Sequence, residues 1–189
     1  MTGQGKSAID TLLAESFKEL ALKQPIEKIT IKEITDKAGV IRPTFYNHFQ
    51  DKYELIEWII KTELLEPIKP LLNAGMIFEA IVLMLNNITA NSVFYKKALK
   101  LEGAVTFNQI AMKCVCEMFM NIISEKSTGK KSKYRWLTPE VISTYYAQSL
   151  CFITEGWIAQ GMDDIEPKEM AEAYMYLITR SMDDILSEL

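Results

Sequence analysis

Apolar residues recur every three or four positions from Lys6 to Lys23, at Ile9, Leu12, Leu13, Phe17, Leu20 and Ala21. This is the period of a helix with one buried side. Met1 to Gly5 carries no such pattern and reads as a disordered tail. Gln24-Pro25 stops the helix, and the connector to Ile29 tucks Ile26 and Ile29 beneath it. The pattern then changes character over Thr30 to Lys52. Thr30 followed three residues later by Glu33 is a capping box, and Ile31, Ile34 and Ala38 fall on one face behind it. Gly39 supplies the positive φ that ends a helix abruptly, and small Ala38 lets a second helix come close. The next helix, Arg42 to Phe49, opens with Pro43, which is tolerated where no N–H is needed. Phe45 and Phe49, four apart, turn inward. Arg42, Thr44, Tyr46, Asn47 and His48 are left facing outward, with no acid among them. This arrangement predicts a helix-turn-helix whose second helix enters a DNA groove.

A fourth helix follows from Asp51 to about Glu66, with Tyr53, Leu55, Ile56, Ile59, Ile60 and Leu64 apolar and Pro67 and Pro70 ending it. Beyond Leu71 the helical period returns in Met76–Thr89, in Val93–Leu101 behind an Asn91-Ser92 cap, and in Thr106–Glu125. Ser127 to Trp136 has no period. It reads as an exposed loop whose Lys130, Lys131, Lys133 and Arg135 are solvated. Thr138 and Pro139 open a helix that runs to about Gln160 and stops at Gly161, and Pro167 opens the last helix, reaching close to Leu189. No alternating strand pattern is convincing anywhere. The chain reads as all-α with about nine helices: a helix-turn-helix domain over 1–52, a linker helix over 53–70 and a C-terminal regulatory and dimerisation domain over 71–189.

The totals refine this picture. With 189 residues, 49% of them apolar, the chain can bury a real core. The net charge of −4 is unlike that of most nucleic-acid binders, but it is unevenly spread. Residues 1–52 hold eight lysines and arginines against seven aspartates and glutamates, a surplus of one positive charge, so the acidity lies in the remainder. That predicts a small basic face at the N-terminal end and an acidic body held away from DNA. Cys114, Cys116 and Cys151 lack metal-site spacing and read as buried reduced thiols. His48 is the only histidine, and Phe45 stands where a Glu-x-x-His pair would need its glutamate, so neither a zinc site nor a di-iron bundle is implied. No nucleophile motif supports an enzyme, and no cofactor is implied. The polar N-terminus is not a signal peptide and no apolar run approaches a membrane span, so the expectation is a cytoplasmic protein without membrane contact.

The T-x-x-x-I run, the A-G-V turn, the T-F-Y-N-H-F segment and the Asp51-Lys52 pair together resemble the DNA-binding motif of TetR/AcrR-type bacterial transcriptional regulators. That family usually has Ala where Thr35 stands, Ser where Ile41 stands and often Gly where Pro43 stands. The segments S-V-F-Y-K-K-A-L, R-W-L-T-P-E and G-W-I-A-Q-G-M are similar to a short branch that includes activators of dihydroxyacetone-kinase operons. The resemblance implies that Tyr46 reaches a phosphate or base edge and that His48 contacts a phosphate. Lys52, at a helix start beside the DNA surface, is positioned to help hold another. The expected DNA-contacting set is therefore Thr30, Arg42, Pro43, Thr44, Tyr46, Asn47, His48 and Lys52.

The resemblance also implies an inducer pocket in the C-terminal part. Met76, Met84, Phe94, Phe107, Met112, Met118 and Trp157 are candidates to line it, their competing role being ordinary core. The last two long helices are apolar on more than one side. A two-fold dimer that packs them against their copies explains this, with Tyr145, Tyr146, Ser149, Ile153, Trp157, Tyr174 and Ile178 at the contact. The expectation is thus a homodimeric, sequence-specific DNA-binding regulator of an operator, controlled by a small hydrophobic effector or a partner protein. The alternative is a helical protein-interaction adaptor with weak DNA binding.

Overall fold

The structure is a computed structural model that describes residues 3–103, 105–126 and 133–188, the side chains of 3–7 excepted. Eleven α-helices and no strand occur among the described residues. They are α1 (Gly3–Ala21), α2 (Ile31–Ala38), α3 (Arg42–Tyr46), α4 (Lys52–Ile59), α5 (Lys69–Asn73), α6 (Ile77–Ala90), α7 (Ser92–Ala98), α8 (Phe107–Lys126), α9 (Pro139–Ala159), α10 (Pro167–Thr179) and α11 (Met182–Glu188). A single 3-10 turn, Ile26–Lys28, bridges α1 and α2. The all-α class is as expected, and the count is higher than nine for identifiable reasons. A short α5 forms behind Pro67, with Pro70 accommodated in its first turn. The last helix is broken at Arg180, whose backbone is extended. Ser181 then caps α11, its N–H and hydroxyl donating to Asp184 Oδ2 and its hydroxyl accepting from the Asp184 N–H. At the other end α1 begins at Gly3, inside the stretch expected to be a tail. The loop lysines 130 and 131 lie outside the described residues.

Leu13, Ala14 and Phe17 of α1, Ile34 of α2, Phe45 of α3 and Leu55, Ile56 and Ile59 of α4 are all fully buried and form one N-terminal core. Each of these large side chains contributes about 1.5–3 kcal/mol relative to staying exposed. The same core continues without a break into α6–α10. α4 is the element that joins the two ends, packing on α1 on one side and on α8 on the other. Past Ile59 its hydrogen bonding widens. Ile60–Leu65 is a π-helical run, and the Glu66 N–H reaches Lys61 O at 2.8 Å. Such runs are rare and concentrate at functional positions. Here the run keeps Ile60, Leu64 and Leu65 buried together.

α8 and α9 form the most extensive helix pair. They run antiparallel, since Asn108 meets Glu155 while Cys116 meets Thr144. Cys114, Cys116 and Cys151 are free thiols, and burial pushes Cys114 and Cys151 up to about 12, which keeps them protonated and inert. α10 lies chiefly on α6 rather than on α9, and Ala171 and Tyr174 are its buried residues. No single helix among the described residues is long and apolar enough to cross a membrane.

Candidate nucleic-acid interface

The placement of α3 starts with the cap of α2. The Thr30 N–H donates to Glu33 Oε2 at 2.8 Å, the Thr30 hydroxyl donates to the same oxygen at 2.7 Å, and the Glu33 N–H donates back to Thr30 Oγ1 at 3.2 Å. Thr35, where a small apolar residue would do, is buried because its hydroxyl donates back to the Ile31 and Lys32 carbonyls, each at 3.0 Å. Gly39 then adopts φ 67° and ψ 28° and turns the chain. The Thr30 N–H, helped by the Thr30 hydroxyl and the Gln24 amide, holds the Glu33 carboxyl at about 2, below its ordinary 4.5. A depressed carboxylate stabilises the fold fully above its unfolded value and stops doing so as pH falls through the folded one. Melting temperature should therefore fall less steeply between pH 5 and pH 2, within about the range these two values span, in Glu33→Gln than in the parent.

α3 is one and a half turns long, shorter than the Arg42–Phe49 expected, because Asn47 closes it and the chain bends through His48. Its inner side is fixed by aromatic packing. Phe45 and Phe49 are buried with ring centres 5.8 Å apart, and Phe49 meets the Trp58 ring of α4 at 6.3 Å. Its outer side shows Arg42, Pro43, Tyr46 and Asn47 to solvent, with Thr44 half-buried. Tyr46 is 51% exposed although its ring edge touches Phe45, so a rigid base supports a protruding phenol. The Arg42 guanidinium stands beside the Tyr46 hydroxyl at 3.4 Å. Ile41 occupies the cap position exposed and without a capping bond, the cost of having no Ser there.

Three expected contact residues are instead committed to the protein. His48 Nδ1 lies 2.6 Å from Asp10 Oδ1, both side chains nearly buried, so His48 ties the end of the recognition segment to α1. Lys52 points away from the surface. Its ammonium donates to the carbonyls of Ile26, Glu27 and Ile29 at 2.9, 2.7 and 3.1 Å, and burial lowers its pKa. The hydroxyl of Thr30 is engaged in the capping box. The signal for Asp10 was present in the sequence: it falls on the same stripe as Leu13, Ala14 and Phe17, and a carboxylate on a buried stripe needs a partner. Lys52→Met should destabilise the protein by about 2–4 kcal/mol, since three carbonyls lose a charged donor. It should leave the salt slope of DNA binding unchanged, and a urea melt beside a salt titration checks both.

The C-terminal candidates also sort differently from expectation. Only Met84 and Phe107 of the seven pocket candidates line the apolar cavity among the π-helical run, α6, α7, α8 and α9. Met76 is exposed at the start of α6, and Phe94 packs edge-on against Phe17 of α1. Met118 is buried core and Met112 is half-buried against it. Trp157 is 2% exposed, its indole N–H donating to the Ile165 carbonyl at 2.9 Å, so it belongs to the subunit's own packing and not to an interface. Tyr174 is likewise buried and shares a 3.0 Å hydrogen bond with Ser149. Ile153 and Ile178 are half-buried, while Tyr145 and Tyr146 remain outside. Phe152, 77% exposed, is the most open aromatic of α9, and Leu177, Met182 and Leu186 are exposed on α10 and α11.

With this geometry in hand, comparison with known proteins places the chain. Residues 17–59 match the profile of bacterial regulatory proteins of the tetR family. Residues 76–180, more than half of the chain, match the C-terminal region of TetR-type transcriptional regulators. The chain belongs to the TetR family of transcriptional regulators. The HTH-type dhaKLM operon transcriptional activator DhaS of Lactococcus lactis subsp. lactis (strain IL1403) is 28% identical over 152 residues, 79% of either chain. Among solved structures, the dihydroxyacetone kinase operon activator DhaS superposes with a TM-score of 0.59 at 22% identity, covering 95% of both chains. NalD, the secondary repressor of the MexAB-OprM multidrug efflux pump in Pseudomonas aeruginosa, does so with 0.59 at 13% identity, covering 92% of this chain and 96% of that one. These two share the fold. As a TetR regulator the chain is a DNA-binding protein and not an enzyme, and α2 and α3 are its helix-turn-helix.

Proposed function

We propose that this TetR regulator acts as a homodimer that lays one α3 into the major groove of each half of a two-fold operator. Residues 1–52 form the reading unit, 53–70 the link and 71–189 the dimerising and controlling part. The observation that carries the reading is the division of α3 into a buried side, Phe45 and Phe49, and an exposed side of Arg42, Pro43, Tyr46 and Asn47 free of acids. Arg42 and Asn47 have the donors that base edges or phosphates accept, and Tyr46 and Pro43 add apolar contact. Dimerisation is supported by Tyr145 and Phe152 on α9, Leu177 on α10 and Met182 and Leu186 on α11, large apolar side chains that the subunit leaves uncovered. Control by a small effector is supported by the apolar cavity among the π-helical run, α6, α7, α8 and α9.

A salt titration tests the reading. A dimer making several phosphate contacts per subunit loses on the order of a thousandfold in affinity between 50 and 200 mM salt. Fluorescence anisotropy on a duplex carrying the preferred site measures it. A flat response would favour the adaptor.

A further inference from the structure

Among the described residues, Asp10 is the only buried acidic one. It sits on the inner stripe of α1 with Leu13, Ala14 and Phe17, where an apolar side chain would serve the core. Its partner is His48, the only histidine of the chain. A carboxylate only accepts, so the imidazole Nδ1–H donates, across 2.6 Å. The bond joins α1 to the segment that leaves α3, 38 residues further along the chain. Desolvating such a pair is costly, and replacing it with packed apolar residues is often neutral or stabilising. Stability therefore does not account for it. What an apolar contact cannot supply is direction.

We propose that Asp10 is a positioning residue for DNA binding: through His48 it sets the angle at which α3 presents Tyr46 and Asn47 to the groove. The proposal rests on the reading of α3 as the groove-facing helix. α3 has five residues, its Ile41 cap makes no side-chain bond, and its buried side is held by the Phe45 and Phe49 rings. Apolar packing is non-directional, so it fixes the depth of a short helix better than its roll. His48 follows Tyr46 by two residues and donates to a fixed acceptor, a bond that weakens steeply when misaligned. It therefore resists the roll.

α1 is a firm base for that acceptor. Lys18 Nζ lies 2.8 Å from Glu63 Oε1 of the π-helical run, and the Phe17 and Phe94 rings meet edge-on at 6.1 Å. Lys97 of α7 donates to the Leu22 carbonyl, just past the end of α1, at 2.7 Å. The pose of α3 is thereby referred to the body of the subunit. A set of recognition contacts works only when held to within about 0.5 Å and about 10–20°, and in a two-fold dimer any error at α3 occurs twice.

The test uses the full-length protein, fluorescence anisotropy on its preferred duplex over a salt series, and a thermal melt of each variant. Asp10→Leu combined with His48→Leu should melt no lower than the parent, yet bind about tenfold more weakly. Its salt slope should stay parental, because no phosphate contact is lost. Asp10→Asn, which keeps an oxygen acceptor for the Nδ1–H, should retain parental affinity. Asp10→Leu alone and His48→Leu alone should each lose as much as the double variant, the mark of two residues acting as one unit. Where a single leucine variant fails to fold, the double variant and Asp10→Asn carry the test. Parental affinity in the folded double variant overturns the proposal, and so does a double variant that cannot fold, since the pair would then serve the fold. A salt slope lower by about two, one phosphate contact per subunit, also overturns it by making His48 a direct contact. Tyr46→Ala reports separately on α3. Parental binding there removes the helix and the proposal together, whereas weak binding there beside parental binding in the double variant removes the positioning role alone.

Discussion

Tyr46→Ala should lose on the order of a thousandfold in affinity for its preferred duplex, taking about 1–3 kcal/mol for each lost base or phosphate contact and two copies per dimer. Its melting temperature should stay close to the parent's, because an exposed ring removed from the surface usually costs no more than about 0.5 kcal/mol. The two expectations follow from a single geometric fact. Tyr46 stands on Phe45 at a ring separation of 5.7 Å but is itself half outside, so the alanine variant loses a contact surface and leaves the anchor intact. Phe45→Ala makes the opposite case: it removes a fully buried ring and undermines the helix itself. A Tyr46→Ala protein that melts like the parent and binds like the parent would remove α3 from the interface.

Phe152→Glu should raise the dimer dissociation constant by about a thousandfold, taking on the order of 2 kcal/mol for each copy of a central aromatic. An isologous contact repeats the substitution across the two-fold axis, so two new carboxylates face one surface. Tyr145, 64% exposed on the same helix, should respond in the same direction when changed to Glu. Neither change disturbs the subunit, because neither ring is part of its core. Sedimentation should show monomers at concentrations where the parent is dimeric. Operator affinity should fall with dimerisation, since only the dimer holds two recognition helices about one DNA turn apart, roughly 34–36 Å. Unchanged sedimentation for both variants would move the interface elsewhere on the surface.

What the sequence shows of this molecule depends on how far apart the interacting groups lie along the chain. The capping box of α2, the left-handed Gly39 and the inward Phe45–Phe49 pair are contacts within four residues, and spacing alone reveals them. Lys52 and His48 find their partners 23 to 38 residues away, and no local pattern says that an ammonium will turn inward onto carbonyls of the 3-10 turn. The break before α11 was locally encoded, as Ser181 with Asp184 three residues on, yet the apolar period running through Tyr174, Ile178 and Ile185 masks it. The apolar excess on α9 suggests two buried sides, one of them against a second copy. Which side faces α8 and which faces outward is set by packing, so Trp157 and Tyr174 turned out to be core while Phe152 is exposed. The cavity was the least legible, since its walls come from five helices and its size depends on their fit.

The central claim is that two copies of α3 read DNA together. The measurement that tests it most directly is selection of bound duplexes from a random-sequence pool by the full-length protein, followed by sequencing. The account predicts enrichment of an inverted repeat whose half-sites are centred about one helical turn apart, lost in Tyr46→Ala. Enrichment of an unpaired asymmetric site, or of no sequence, would contradict it.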